Sequence, residues 1–439
     1  MLQLWLVANT VLWPFNVKLG GITLSLNVVV LLLAGAVWLA KSRRIAIASA
    51  KILLVFIAFI FFSLFLALTG PCNDHLQKSI FTMPILLLLV LIGLEIGRKA
   101  SDVDWLNLQR TALWSLILAF SALFFEMLMP AWFPLQAGYR SEGKLSGLFQ
   151  EPSHLAFSLF PCIAVLLVAE DKKTSRKGIV ALFGLLVLSR SSTLIALIAA
   201  FVLYRLVIQG KTRQTALITL SISSFIGLAA MIGYSQIFMP TIVRVAGITA
   251  PSETGNLSSL VYVQGWQDAW FNLWRTHGLG LGLNMMGCSP LPDVSVRDIL
   301  MLRRFGDLNA EDGSFLFAKI VSETGVVGLG FYAMAIWGWI QLERKLRYLH
   351  EEADRLAAAT QAALIFCFIA SSFIRGAGYF AGGLLLWIAA ISGAARWRRN
   401  LSTQPAMAFG FTPPARQIAG DRSSDDNNPR TFAARREDQ

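Results

Sequence analysis

The residues best suited to chemistry lie together in one stretch, SGLFQEPSHLA, at positions 146–156. Glu151, Ser153 and His154 fall within four positions there, directly before the apolar run LAFSLFPCIAVLLVA. A carboxylate and an imidazole at the mouth of an apolar helix are costly unless they face water or a polar ligand. The alternative is a solvated helix cap, with Pro152 at a first helical position and the polar side chains satisfying free N–H groups. The stretch alone leaves both interpretations open.

Composition indicates the class of protein that must position these residues. The chain has 439 residues, of which 55% are hydrophobic and 15% are charged, and its mean hydropathy is +0.60. A soluble domain cannot bury that much apolar surface, and many apolar runs are long enough to span a membrane. Because these runs are continuously apolar and do not alternate, they predict an all-α, polytopic helical bundle and not a transmembrane β-barrel.

The apolar runs predict about twelve transmembrane helices. We place them at 2–16, 22–40, 46–69, 80–97, 109–129, 152–169, 178–189, 192–208, 214–233, 314–340, 357–375 and 379–395. The first lacks a basic region and a cleavage site, so we interpret it as a span and not as a signal peptide. The net charge of +12 comes largely from Lys and Arg in every second connection, which predicts a cytoplasmic side and not nucleic-acid binding.

The run 179–206 allows two interpretations, because it is long for one upright helix and short for two. It could be one tilted span with Arg190 inside the membrane, or two short spans that meet at the outer face. Only two spans preserve the alternation of basic connections, so we prefer them. The chain then divides into helices 1–9 (1–233), a large periplasmic loop (234–312), helices 10–12 (313–398) and a polar tail (399–439) that we expect to be disordered.

On this topology the conspicuous polar residues gather at the outer ends of the spans, and we expect only plain basic anchors on the cytoplasmic side. Several arginines at one face suit an anion such as a diphosphate. Asp312 could equally be a helix N-cap, and Trp266, the first of three tryptophans on one helix stripe, could stack on a sugar or simply pack. The candidates are Glu151, His154 and Asp312 for catalysis, Arg190, Arg375, Arg304 and Arg303 for diphosphate binding, and Ser153, Tyr379 and Trp266 for substrate binding.

The four cysteines show no metal-ligand spacing. Cys162 and Cys367 fall inside apolar runs, where they would be small core residues. Cys72 and Cys288 both fall in predicted outside loops and could form a disulfide. Gly278, Gly280 and Gly282 superficially resemble a phosphate loop, but they follow no βαβ strand, so we do not expect nucleotide binding.

Three pieces of the sequence resemble the bacterial O-antigen polymerase and O-antigen ligase superfamily of polytopic inner-membrane glycosyltransferases. GLFQEPSHLA at 147–156 resembles the polymerase-type E-P-S motif, and LSRSSTLIALIAA at 188–200 resembles the S-R-S start of the family's shared region. HGLGLGLN at 277–284 with DGSFLFAKIVSETGVVGLG at 312–330 resembles its glycine-rich segment followed by a helix that ends in E-x-G-x-x-G-L. The three pieces occur in the family's usual order.

The resemblance implies about twelve helices, one large periplasmic loop, and a glycan donor carried on undecaprenyl diphosphate in the inner membrane. It implies neither a nucleotide sugar nor an essential metal or other cofactor. By motif match Arg190 would bind the diphosphate, while Glu151 and Ser153 would lie at the mouth of the active site. The expected partners are the lipid-linked oligosaccharide, membrane lipids and a chain-length regulator protein.

The resulting hypothesis is a polysaccharide polymerase that joins lipid-linked repeat units of O-antigen, capsule or exopolysaccharide at the periplasmic face. Arginines would offset charge on the leaving diphosphate, and Glu151 or His154 would take the proton of the acceptor hydroxyl. The alternatives are a ligase that transfers glycan to lipid A core, and a glycan transporter or flippase. The E-P-S motif and the absence of paired histidines in the long loop favour the polymerase, whereas a transporter should show an inverted repeat and midplane polar groups.

Overall fold

The computed structural model describes residues 1–12, 15–19, 22–42, 47–69, 75–132, 144–169, 171–207, 243, 246–251, 256–288, 291–305, 308–349, 351–375, 378–380 and 382–403. Residues Met1–Trp397 form one compact unit. A second unit, Arg398–Gln439, is described only through the last turns of a helix that ends at Thr403. The disorder predicted for the tail concerns residues that lie almost entirely outside the described part.

Nearly all of the described chain is helical. A π-helical turn, Ala8–Leu12, extends the first helix, and a single 3-10 turn, Pro130–Trp132, follows the fifth. In chain order the helices are α1 (Leu2–Val7), α2 (Leu26–Ser42), α3 (Ile47–Thr69), α4 (Leu76–Lys99), α5 (Asp102–Leu128), α6 (Pro152–Leu167), α7 (Lys172–Ser189), α8 (Ser192–Val207), α9 (Leu257–Arg275), α10 (Ser295–Leu302), α11 (Leu316–Thr324), α12 (Val326–Leu346), α13 (Glu352–Ile374) and α14 (Gly382–Thr403).

Five of these helices are long and apolar enough to cross a membrane, namely α3, α4, α5, α12 and α13. Shorter apolar helices include α2, α6, α8 and the start of α14. Together with the composition, they identify an α-helical membrane protein. The predicted span at 214–233 lies outside the described residues, so the total of about twelve remains a prediction.

Helix α6 occupies the centre of the bundle. It is buried from Leu155 to Leu167 along nearly its whole length, and it packs against α5, α7, α8 and α13. The apolar window of α13 is also 78% buried, whereas that of α3 is only 11% buried. An apolar helix that exposes most of its surface can do so only against lipid, so α3 is peripheral and α6 and α13 form the inner framework.

A β-hairpin is present between the first two predicted spans, and it includes residues that the sequence assigns to the ends of those spans. Strands β1 (Asn16–Leu19) and β2 (Ile22–Ser25) pair antiparallel, with Leu19 opposite Ile22. The spans predicted at 2–16 and 22–40 are therefore shorter, and their helical parts end at Leu12 and begin at Leu26. The signal was present, because two short alternating runs around a Gly-Gly pair are typical of a tight hairpin.

The span predicted at 314–340 is broken into α11 and α12 at Gly325. This residue has φ 61° and ψ −135°, a backbone conformation that strongly favours glycine. A Cβ added there would lie 1.9 Å from the carbonyl oxygen of Gly278, and the N–H of Val326 donates to that same oxygen at 2.8 Å. The glycine-rich segment after α9 thus fits into the break and interrupts the helix.

The run 179–206 forms two helices, as the preferred interpretation predicts. Helix α7 ends at Ser189 and α8 begins at Ser192. Between them Arg190 adopts a left-handed conformation, with φ 47°, and its N–H donates to Leu186 O at 3.1 Å. The alternative of a single tilted helix is therefore wrong, and Arg190 lies at a helix end instead of mid-helix.

Candidate functional site

The central feature of the site is an ion pair between the start of α6 and the end of α13. The Arg375 Nη2 atom donates to Glu151 Oε2 at 2.7 Å, and the Ser153 hydroxyl donates to the same oxygen at 2.9 Å. Glu151 is the N-cap residue of α6, but its side chain caps no N–H of that helix, while Pro152 occupies the first helical turn. The predicted position of Pro152 is confirmed. The Glu151 carboxylate accepts a hydrogen bond from Arg375 and does not cap α6.

His154 completes a cluster that reaches solvent. Its Nε2 atom lies 4.0 Å from Glu151 Oε2, too far for a hydrogen bond, and its ring meets the Phe157 ring edge-on at 5.7 Å between centroids. The side chains of Glu151, His154 and Arg375 are 23%, 21% and 31% exposed. They are thus open to a ligand while being held in place by the protein.

Asp312 contributes charge to this cluster from an exposed turn. The charges of Arg375, Glu151 and Asp312 all act on the His154 ring. The helix that follows begins only at Leu316 and has no side-chain cap, and the Asp312 N–H donates to Asn309 O within the turn. The N-cap interpretation of Asp312 is therefore wrong.

A buried carboxylate that the sequence analysis missed fixes the turn before Glu151. The Oε2 atom of Glu126, on α5, accepts from the N–H groups of Ser146 and Gly147 at 2.9 and 2.7 Å. Glu126 is 1% exposed, and Gly147 has a positive φ of 58°. The available signal was a single acidic residue in the apolar run LFFEML, since such a residue normally has a defined partner.

Arg190 lies near this turn. The N–H of Leu145 donates to Leu188 O at 3.0 Å, so the segment that leads to Glu151 runs past the last turn of α7. Arg190 is partly buried at the α7–α8 junction. The structure therefore brings the region of the predicted S-R-S motif against the region of the predicted E-P-S motif.

A second buried carboxylate, Glu323, organises the glycine-rich segment. It is fully buried and accepts from the N–H groups of Asn284 at 2.6 Å and Met286 at 3.2 Å. Lys319 Nζ lies 3.3 Å from it, one turn away on α11, and the Tyr379 hydroxyl donates to its Oε2 atom. Tyr379, predicted to bind substrate, is thus buried against Glu323.

The remaining predicted residues lie around α9 and α10. Trp266 packs with its ring centroid 5.1 Å from that of Phe315 and 5.2 Å from that of Phe317. Arg303 follows the last turn of α10, and Arg304, exposed beside it, has φ 63°. The described contacts therefore place Trp266 in an aromatic packing cluster, and a substrate or diphosphate role for these residues remains a prediction.

Helix α10 is attached to α9 by a buried ion pair that the sequence analysis did not identify. Arg297 Nη2 donates to both carboxylate oxygens of Asp268, at 2.9 and 2.8 Å, and the side chains are 5% and 3% exposed. Burial raises the pKa of Asp268 to about 6, and the charge and hydrogen bonds of Arg297 oppose that rise. Neither residue gave a clear sequence signal, because isolated charges in a long loop usually face water.

The opposite end of the bundle also carries buried charges, which corrects the expectation of plain basic anchors there. The Tyr204 hydroxyl at the end of α8 donates to Glu343 of α12, and both side chains are buried together with Arg205. On α4, the fully buried Glu95 pairs with Arg98 Nη2 at 2.8 Å and Lys99 Nζ at 3.4 Å. The Tyr204–Glu343 contact joins α8 to α12, whereas the Glu95 pairs lie within α4.

Two of the cysteine predictions can be compared with the structure. Cys162 and Cys367 are free and buried, as predicted. Cys288 is disulfide-bonded, in agreement with a disulfide in the outside loops, while Cys72 lies outside the described residues.

No family model matches the chain, and no curated protein matches its sequence. The site offers a carboxylate, an imidazole and a hydroxyl beside a guanidinium, at the end of a membrane bundle and within reach of solvent. Such a set can bind an anionic group and remove a proton next to it.

Proposed function

We propose that the protein is a glycosyltransferase of the polymerase type, which joins repeat units carried on undecaprenyl diphosphate at the periplasmic face of the inner membrane. The observation that carries the proposal is the Arg375–Glu151 pair, because it holds an anion-binding group and a candidate base in contact at 2.7 Å. The motif resemblance supports the choice of substrate. About twelve spans, with both termini in the cytoplasm, belong to the same proposal.

Binding of the donor would begin with an exchange of partners at Arg375. A lipid-linked diphosphate presents more anionic oxygens than one carboxylate, and a guanidinium can bind two of them at once. Diphosphate would therefore compete with Glu151 for Arg375. Arg190, on the helix end that the turn before Glu151 passes, would supply a second positive charge.

The exchange would also free Glu151 to act as a base. An acceptor hydroxyl attacks the anomeric carbon of the donor glycan, and the new C–O bond forms as the bond to the diphosphate oxygen breaks. The diphosphate leaves with the electron pair of that bond, and Arg375 offsets its charge. Glu151 takes the hydroxyl proton, while Ser153 holds the carboxylate. His154, whose Nε2 atom lies 4.0 Å from Glu151 Oε2, is the alternative base.

The test is an elongation assay with purified protein in nanodiscs and lipid-linked repeat units as the only substrate. Arg375→Ala and Glu151→Ala should each slow elongation on the order of 10²-fold or more, as removal of an oxyanion donor does. Arg98→Ala is a matched control, because it removes an arginine from a glutamate pair, with Nη2 2.8 Å from Glu95, at the opposite end of the bundle. Normal elongation by both site variants would exclude the proposed roles.

The product distinguishes this activity from its alternatives. A ladder of longer glycans on the carrier lipid indicates a polymerase, and transfer of glycan to lipid A core indicates a ligase. Movement of lipid-linked units across proteoliposomes without new glycosidic bonds would indicate a transporter.

A further inference from the structure

The inner face of α9 carries a line of buried polar side chains that the proposed mechanism does not use. Gln264, Asp268 and Asn272 follow one another at intervals of four residues and so share one face of the helix. They are 1%, 2% and 1% exposed. Arg297 of α10, which is 4% exposed, donates a hydrogen bond to Asp268. We call these four residues the α9 polar stripe.

Several atoms of the α9 polar stripe have no hydrogen-bond partner within the described part of the chain. They are Oε1 and Nε2 of Gln264, Oδ1 of Asn272, and Nε and Nη1 of Arg297. Leaving a buried polar group without a partner destabilises a fold, and native structures therefore supply one in most cases. An apolar residue would avoid that cost, so the stripe indicates a polar partner from outside the chain.

The chemistry of the stripe restricts what that partner can be. A free anion would meet the Asp268 carboxylate, and a free cation would meet the Arg297 guanidinium. The unpartnered atoms include both acceptors and donors, on planar amide and guanidinium groups. Neutral hydroxyls, which donate and accept at once, match such a mixed set.

We propose that the α9 polar stripe is a binding site for a segment of glycan, held through its neutral sugar hydroxyls. The source of that glycan, a lipid-linked repeat unit or growing chain, rests on the proposed function. The stripe would bind sugar at a distance from the diphosphate, and so help to retain one of the two chains between additions.

Helix α10 contacts the stripe at Asp268 through Arg297 and packs along α9. Its apolar contacts with α9 form a small cluster, Leu260, Val261, Val296 and Leu300, which is separate from the main core. At its first turn Gln267 of α9 donates to the Ser295 hydroxyl at 3.0 Å. A short helix with few apolar contacts can separate locally without global unfolding. The buried Arg297–Asp268 pair opposes that separation, so sugar hydroxyls would have to replace its hydrogen bonds as the helix opens and exposes the buried amides.

The test uses the full-length protein in nanodiscs and the lipid-free oligosaccharide repeat unit, released from the carrier lipid by mild acid. Binding is followed by saturation-transfer NMR and titration calorimetry. Gln264→Leu and Asn272→Leu should each weaken binding about three- to tenfold, the equivalent of a lost hydrogen bond to a neutral group. Both should leave the melting temperature unchanged or raise it, because an unpartnered polar group is removed.

Gln109→Leu provides the matched control. Its amide nitrogen on α5 is likewise without a hydrogen-bond partner among the described residues, but it lies outside the stripe, so binding should not change. Equal binding by wild type and both stripe variants, or no binding by wild type, would overturn the proposal. Arg375→Ala should bind the lipid-free oligosaccharide normally while elongating on the order of 10²-fold more slowly. If wild-type protein binds the sugar through Gln264 yet never elongates, the proposed polymerase function is wrong, while the glycan-binding role of the α9 polar stripe still holds.

Discussion

Arg375 and Glu151 are 224 positions apart in the sequence, and their side chains meet at 2.7 Å. The contact joins the first residue after α13 to the residue before α6, the two helices that form the inner framework. Glu323 makes a similar contact with Tyr379, four residues after Arg375. The connection after α13 therefore holds two carboxylates from different helices, and we expect its variants to affect both.

A double-mutant cycle tests whether Glu151 and Arg375 act as a unit. If Arg375 both binds diphosphate and restrains Glu151, the rate lost in Glu151→Ala/Arg375→Ala should be well below the product of the single losses. Glu151→Gln should lose about 10²- to 10⁴-fold in elongation, because an amide cannot take the hydroxyl proton. Initial rates with lipid-linked units would measure both effects. Strictly multiplicative losses would mean that the two residues act independently.

Glu126 should position the turn that leads to Glu151. Glu126→Ala leaves the N–H groups of Ser146 and Gly147 buried without an acceptor, at a cost of about 1–3 kcal/mol each. Glu126→Gln keeps a carbonyl acceptor and should recover most of the loss. Thermal unfolding in detergent gives the stability, and elongation kinetics should show a fall in kcat larger than the change in KM. If Glu126→Gln and Glu126→Ala lost equal stability and rate, the negative charge of Glu126 would matter and not its role as a hydrogen-bond acceptor.

The sequence predicted the helices and the exposed polar residues of this site better than the buried polar contacts that hold them in place. Apolar runs located the helices, and a few polar residues at helix ends, Glu151, His154 and Arg375, were correctly expected to share one face. Those residues were visible because charge is rare at the margin of an apolar run. The topology then brought them together.

The buried polar contacts could not be predicted, because the residues that form them are distant from one another in the sequence. Nothing near Glu126 or Glu323 reveals which N–H groups they accept from, and a buried pair such as Asp268–Arg297 looks like two ordinary loop charges. The helix break at Gly325 depends on a carbonyl from Gly278, and so on tertiary contact. The hairpin at residues 16–25 is a different case, since its local signal was present and was outweighed by the apolar runs on either side.

The break at Gly325 should not tolerate a side chain. Gly325→Ala places a Cβ 1.9 Å from the Gly278 carbonyl oxygen, at a φ of 61° that L residues rarely adopt. We expect a loss of stability of at least about 1–3 kcal/mol, the usual cost of a strained backbone conformation, together with a rise in proteolysis after α9. Gly330→Ala is the control, because a Cβ there has nothing within 4 Å. A stable Gly325→Ala variant would contradict the described fit between the two segments.

The Asp268–Arg297 pair should make stability depend on pH in a defined direction. Burial raises the pKa of Asp268 to about 6, above its value of about 4 in an unfolded chain. Between these values the folded state binds more protons, so this contribution to stability is present at low pH and is lost as the pH rises through 6. Arg297→Gln removes the opposing charge, so the pKa of Asp268 should rise further and the carboxylate should be costly once ionised.

Arg297→Gln should therefore be nearly as stable as wild type at pH 5, and less stable by about 2–3 kcal/mol at pH 8. The reason is that raising the pKa of Asp268 from about 6 to 8 or above adds about two pH units of proton linkage, at about 1.4 kcal/mol each. Thermal unfolding in detergent micelles at the two pH values measures the difference. Asp268→Asn/Arg297→Gln supplies the control, since with no carboxylate left it should lack the extra penalty at pH 8. If Arg297→Gln were instead destabilised equally at both pH values, packing around the guanidinium would be its main contribution, and the charge of Asp268 would not govern how tightly α10 is held on α9.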